Sequence, residues 1–225
     1  MVATSLDTYD VLINNYPDAK QNLESLRKLG ATIIHGVDAT QMKLFPDLQR
    51  RKFDRIIYNF PHAGFHGREN DIRMIKMHQD LVQGFFKNAS LMLTLSGKIH
   101  VNHKTEAPYD QWNLEGLAGE HSLALDGCVA FRKRDYPGYK NKKGSGPNCN
   151  KSFRLEKCNT FMFKFSHNVK KKKSAPGSSI HTPLNQIQQW PSRPQKRVLS
   201  DVAYYPLAEE NWPSNFGCFC SYGNC

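Results

Sequence analysis

Four consecutive residues, Asn59-Phe60-Pro61-His62, carry the side chains best suited to chemistry in this sequence. An Asn amide can donate to and accept from a nucleobase edge while a neighbouring aromatic ring stacks on the base face. Pro61 fixes the backbone and removes a donor, so these residues stop whatever element precedes them. That element, Phe53-Asp54-Arg55-Ile56-Ile57-Tyr58, is apolar and β-branched at its centre, which predicts a buried strand. Ala63-Gly64-Phe65-His66-Gly67 continues as a loop. A strand followed by a glycine-proline turn with a structural Asn is the plain alternative, and spacing alone leaves both open.

Two aspartates extend the pattern. Asp7 and Asp38 each fall where a strand is expected to end, and ligands of parallel α/β sheets bind beyond such ends. A carboxylate accepts two bonds from a diol, which suits Asp7 to ribose. Asp38, with Ala39 beside it, suits an adenine amino group. For each aspartate alone, a helix cap or turn former is the favoured reading. Together with the Asn59 turn they point to a nucleoside-containing cofactor. The chain has no GxGxxG, and Gly144-Ser145-Gly146 does not open a helix, so a dehydrogenase ranks last.

The formal net charge is +11, which favours polyanionic partners. Basic residues crowd Arg132 to Lys157, where Lys140, Lys142 and Lys143 interleave with Tyr136 and Tyr139. That pattern predicts phosphate contact and base stacking, against the alternative of a solvated loop. The run Lys170 to Lys173 suggests nuclear entry. No apolar run is long enough to span a bilayer, and Met1 opens no secretory signal. The cysteines form no CxxC and meet no paired His spacing, so no metal is expected; Cys218, Cys220 and Cys225 read as free thiols.

The elements that must position these residues alternate strand and helix. Strands are expected at Val2–Asp7, Ala31–His35, Phe53–Tyr58, Gly97–His103, Cys128–Phe131 and Asn159–Phe165. Helices are expected between Asp18 and Gly30, over Asp71–Leu93 and over Tyr109–His121. This order predicts an α/β domain over residues 1–166 with a mostly parallel sheet. The last two strands are antiparallel neighbours joined by a long basic loop. Residues 167–225, rich in Ser, Pro, Gln, Asn and Lys, read as a largely disordered basic and polar tail, with Tyr204, Tyr205, Trp212 and Phe216 available to dock.

The runs FDRIIYNFPHAGFHG, HQDLVQGFFKNAS, GKIHVNHKT, DYPGYKNKKGSG, VATSLDTYD and GATIIHGVDAT together resemble the rRNA uridine-N(3) methyltransferase domain of fungi and plants, over about residues 2–165. The resemblance implies a class I (Rossmann-like) S-adenosylmethionine-dependent methyltransferase sheet whose last strand is antiparallel. It implies that Asp7 meets the cofactor ribose and Asp38 and Ala39 its adenine. Asn59, Phe60, Pro61 and His62 would face the methyl group and the target base. An imidazole that is mostly neutral at pH 7 makes His62 a candidate for the base that takes the uracil imide proton, with His66, His103 and Lys104 as further candidates and a packed turn residue as the alternative for His62. Members of that family carry a strand and a glycine-rich acidic turn before the VATSLD strand. The sheet is therefore expected to be N-terminally truncated, lacking its first strand and helix. The activity implied is methylation of uridine at ring N(3) in large-subunit rRNA, on rRNA or a pre-ribosomal particle, in the nucleus, nucleolus or cytoplasm. The alternative is a non-catalytic RNA-binding remnant of the same fold.

Overall fold

The structure, a computed structural model, describes residues 1–144, 146–166 and 216–220. Its strands are β1 (Val2–Ser5), β2 (Thr32–His35), β3 (Phe53–Asn59), β4 (Leu93–Lys104), β5 (Leu123–Ala130), β6 (Cys158–Phe165) and β7 (Phe216–Cys220). They form one sheet in the order β2-β1-β7-β3-β4-β6-β5. The pairings among β2, β1, β7, β3 and β4 are parallel, and β6 runs antiparallel to both β4 and β5. This is the class I, Rossmann-like arrangement that the resemblance implies. Strand order reverses between β1 and β3, and β7 fills the gap there. Thr4 and Tyr58 both pair with Phe219, and Asn59 pairs with Cys220. The rest of the expected tail, including Tyr204, Tyr205 and Trp212, lies outside the described residues.

Residues in β3 alternate between two covered faces, as the two-residue period of a strand requires. Ile56 and Tyr58 join the main core with Val82, Phe85 and Phe86. Ile57 points to the other face, against Tyr139. The first face is covered by α3 (Ile72–Met92), whose Ile75, His78, Val82, Phe85, Phe86 and Ala89 recur at helical spacing and are buried. Asp71 starts this helix by accepting from the Arg73 backbone N–H at 2.8 Å.

The basic stretch forms part of the second layer. Tyr139 and Asn141 are buried, and the Tyr16 hydroxyl donates to the Gly144 carbonyl at 3.0 Å. Lysines alternating with aromatics look the same in sequence whether the rings await a base or cover a sheet.

Other elements differ from expectation at their edges. Tyr9–Asn15 is a helix, α1, in a stretch where no element is expected from sequence; seven residues with Leu12 as the buried side chain are too few to show periodicity. Asp18 precedes α2 (Ala19–Lys28) without a side-chain cap bond; its backbone is already helical, at φ −82° and ψ −8°, and its carboxylate binds Lys140 at 2.8 Å. The helix expected over Tyr109–His121 divides into a 3-10 turn at Tyr109–Trp112 and α4 at Leu114–Gly119. Asn113, at φ 53°, separates them. Among the described residues no helix is long and apolar enough to cross a membrane.

Gly84 sets how closely α3 approaches the loop after β2. A Cβ there would lie 2.7 Å from the Thr40 Cβ. One turn later Asn88 donates to the Thr40 carbonyl at 2.6 Å and accepts from the Lys43 N–H at 3.0 Å. Gly84→Ala gains up to about 1 kcal/mol of helix propensity. Overpacking against Thr40 costs about 1–3 kcal/mol and displaces the Asn88 bonds. A lower thermal midpoint is the expected result; a higher one would show that the loop yields freely.

Candidate active site at the carboxyl ends of β3 and β4

The tips of three strands are tied by amides and a hydroxyl. Asn102 on β4 donates to Asn59 Oδ1 at 2.6 Å, and Thr160 Oγ1 on β6 donates to Asn102 Oδ1 at 2.5 Å. The Tyr136 side chain hydrogen-bonds to Thr160. Asn59 is thus buried and oriented by its neighbours, as a preorganised site requires.

The next residue is strained. Phe60 has φ +46°, left-handed for a bulky residue, at a cost of about 1–3 kcal/mol. Its N–H donates to the Asn102 carbonyl at 2.8 Å, and its ring meets Phe131 and Phe153 edge-on. The network and these rings together hold the turn in its unusual shape.

Beyond Pro61 a histidine pair forms around one carboxylate. The Gly64 N–H donates to His62 Nδ1 and the Ala63 N–H to His78 Nδ1, each at 3.1 Å. A backbone N–H only donates, so both neutral rings carry their proton on Nε2. Both Nε2 atoms face Glu69, at 2.9 Å from His62 and 3.3 Å from His78. Burial works to raise the Glu69 carboxyl, but the two histidine bonds outweigh it and hold it at about 2. Burial also lowers His62, with the Glu69 bond opposing. Among the described residues, His62, Glu69 and His78 are the group able to ligate a metal ion, their ligand atoms lying within 4.8 Å. In these tautomers both Nε2 lone pairs are bound to hydrogen, so a cation would have to displace two protons. A base role for His62 meets the same obstacle, because both its ring nitrogens are engaged within the turn.

Trp112, wholly buried, stacks on His78 at 4.1 Å and lies 4.5 Å from His103. His103 Nε2–H donates to the Tyr109 carbonyl at 3.0 Å. Burial lowers His103 to about 4, so the ring is neutral near pH 7. Between these groups opens a cavity of about 40 Å³, lined by Phe60, Pro61, His62, His103, Lys104, Tyr109, Trp112 and Phe153. The turn expected from sequence and the strand end at His103-Lys104 therefore line the same pocket. His66 is not among the lining residues.

The two aspartates lie at the ends of β1 and β2. Asp7 is buried, and its carbonyl accepts from Ser5 Oγ at 2.8 Å. Asp38 Oδ1 accepts from the N–H and the hydroxyl of Thr40, both at 2.7 Å, so a turn-forming role is real for that oxygen. Asp38 also lines a cleft of about 520 Å³ with Leu6, Gly36, Gln41, Leu44, Phe45 and Pro46. Ala39 is buried in the main core and does not line that cleft.

The expected RNA-gripping residues stand differently from expectation. Tyr139 is only 4% exposed, so its ring is no base platform, while Tyr136, half-buried, stacks one face on Phe131 at 5.1 Å. Lys142 Nζ donates to the Asn150 carbonyl at 2.9 Å, and the Lys143 N–H to the Lys151 carbonyl at 2.8 Å. Lys140 is held by the surface ion pair with Asp18, a weak contact that a phosphate can replace.

Sequence reasoning passes over Glu69, His78, Asn102, Trp112 and Thr160. Of these, His78 leaves a signal: a polar residue in the apolar stripe of α3, between Ile75 and Val82.

A family described as BMT5-like, rRNA (uridine-N3-)-methyltransferase, matches residues 1–143. Heavy metal-associated isoprenylated plant protein 41 of Arabidopsis thaliana is 52% identical over 168 residues, covering 75% of this chain and 33% of that protein. An uncharacterized protein of the same plant is 41% identical over 166 residues, covering 72% of this chain and 79% of its own length. The 25S rRNA (uridine(2634)-N(3))-methyltransferase of Saccharomyces cerevisiae is 23% identical, covering 61% of this chain and 57% of that enzyme. The chain thus spans about a third of the first of these relatives.

Proposed function

The chain belongs to the BMT5-like rRNA (uridine-N3-)-methyltransferase family, and from that premise we propose that it methylates uridine at ring N3 in large-subunit rRNA with S-adenosylmethionine as donor. The observation that carries this reading is the aromatic pocket beside Asn59, at the carboxyl ends of β3 and β4. Its walls, Phe60, Tyr109 and Trp112, suit the faces of a flat heterocycle. The Asn102 and Thr160 bonds orient the buried Asn59 amide next to Phe60 in the chain, and the strained Phe60 peptide fixes where the turn points. His62 acts as a structural clamp on that turn.

The donor set at β1 and β2 fits a nucleoside. Asp38 puts a carboxylate in a cleft with the apolar Leu44 and Phe45, as an adenine amino edge and ring face require, and Asp7 ends the neighbouring strand. When bound, the cofactor supplies a sulfonium methyl group. The chain's part is to fix the uracil edge, exclude water with its aromatic walls and favour loss of the imide proton. The RNA partner is rRNA within a pre-ribosomal particle, met in the nucleolus or cytoplasm, with Lys140 at the periphery contacting phosphate.

Calorimetry with S-adenosylmethionine, followed by nucleoside mass spectrometry of rRNA transcripts incubated with protein and donor, tests this. Binding, its weakening about tenfold in Asp38→Ala, and appearance of 3-methyluridine are expected; loss of one charge-assisted bond of about 1.5 kcal/mol gives that factor. RNA binding without cofactor binding would instead support the non-catalytic remnant.

A further inference from the structure

Lys104 is the one cation among the described residues lining the aromatic pocket, and the lining includes no carboxylate. Its side chain is largely buried, with 14% exposed. Nζ lies 4.5 Å from the centre of the Tyr109 ring and 5.8 Å from that of Phe153, both faces that attract a cation. The Tyr109 hydroxyl stands at 3.4 Å and the Glu156 carboxylate at 3.8 Å, on a half-exposed side chain. The remaining titratable neighbours bring no negative charge. His62 and His103 are neutral imidazoles, and burial holds Cys158, which pairs with Lys104 across β4 and β6, as a thiol. A largely buried positive charge whose carboxylate partner, Glu156, is long at 3.8 Å and half exposed can exchange that partner for an anion of matching shape in the pocket.

We propose that Lys104 is a catalytic residue that binds a carbonyl oxygen of the target uracil and stabilises the imide anion from which methyl transfer proceeds. This rests on the uridine reading above. The open pocket of about 40 Å³ takes the edge of a pyrimidine, not its whole ring, which is the edge that carries N3 between two carbonyls. The N3 proton leaves to solvent through the pocket mouth, and the negative charge spreads onto the flanking oxygens beside the ammonium. The N3 electron pair then forms the new bond to the methyl carbon as the carbon–sulfur pair passes to sulfur. No side-chain base is needed, which agrees with His62 and His103 having their ring N–H groups committed to Glu69 and to the Tyr109 carbonyl.

The test uses ¹⁹F NMR of a single-stranded RNA oligonucleotide carrying one 5-fluorouridine, titrated with pH alone and with the full chain. A bound fluorine signal should titrate about one pH unit lower than the free one, a tenfold gain in acidity from one close opposite charge. Lys104→Met should abolish the shift and Lys104→Arg should keep most of it. A bound signal with an unshifted midpoint in the unmodified protein would overturn the role of Lys104 while leaving the uridine reading intact. Absence of any bound signal at saturating protein would overturn both.

Discussion

Deleting residues 216–225 is expected to abolish the cooperative thermal transition of this protein. The strand Phe216–Cys220 pairs with Val2–Thr4 on one side and with Arg55–Asn59 on the other, so its removal leaves two half-sheets with facing, unpaired edges. Each lost ladder bond is worth about 0.5–1.5 kcal/mol, and two ladders together rival the 5–15 kcal/mol net stability of an ordinary domain. Exposed edges of this kind also template aggregation. Cys218→Pro is the milder version, removing one donor from a central strand where proline is not accommodated. Circular dichroism melts and size-exclusion profiles read both. A deletion protein that melts as sharply and as high as the full chain would show that this strand does not sit in the sheet in solution. A synthetic peptide spanning residues 212–225, added to the deletion protein, should restore the transition in part.

The second large effect is acid lability well above the usual carboxylate range. Burial lowers His100 and His103, each to about 4, and His35, His62 and His121 are lowered as well. In the unfolded chain these imidazoles titrate at about 6.5, so between there and about 4 the unfolded state binds more protons than the folded state. Stability is therefore complete above about pH 6.5 and drains away as pH falls toward 4. Two shifts of this size correspond to at most roughly 7 kcal/mol, less whatever partial exposure of His100 restores. Glu69 adds a separate, lower window, because its folded value of about 2 lies below the ordinary carboxylate value of 4.5, so its contribution fades as pH drops through that interval. Thermal midpoints at pH 7.5, 6, 5 and 4.5 should fall at each step, and His103→Gln should flatten the slope. Equal midpoints at pH 7.5 and 5 would mean that the buried rings accept protons without cost.

Periodicity explains why α3 and β3 are readable from sequence. Both have one dominant partner surface, so their apolar residues recur with the spacing of the element itself. The Asn59 to His62 turn is readable because proline and the end of an apolar run coincide. The site around it is assembled from residues far apart in the chain. Glu69, His78, Asn102, Trp112 and Thr160 meet only because α3, β4, β6 and a 3-10 turn converge, and no local pattern encodes that meeting. Tyr139 misleads for a physical reason, since an aromatic ring flanked by lysines has the same composition whether it faces a sheet or solvent. The strand at Phe216 carries too few residues, after too long a polar stretch, to stand out at all.

That strand also dictates an order of events during synthesis. Residues 2–59 supply both walls of the central slot, yet the piece that fills it emerges from the ribosome more than a hundred residues later. Throughout that interval the nascent chain carries an open seam through the middle of its sheet. Contacts of such long sequence separation close slowly. Two chains growing on one message would each present a vacant seam to the other's late strand, so the yield of monomer should depend on translation rate and on chaperones that shield sheet edges.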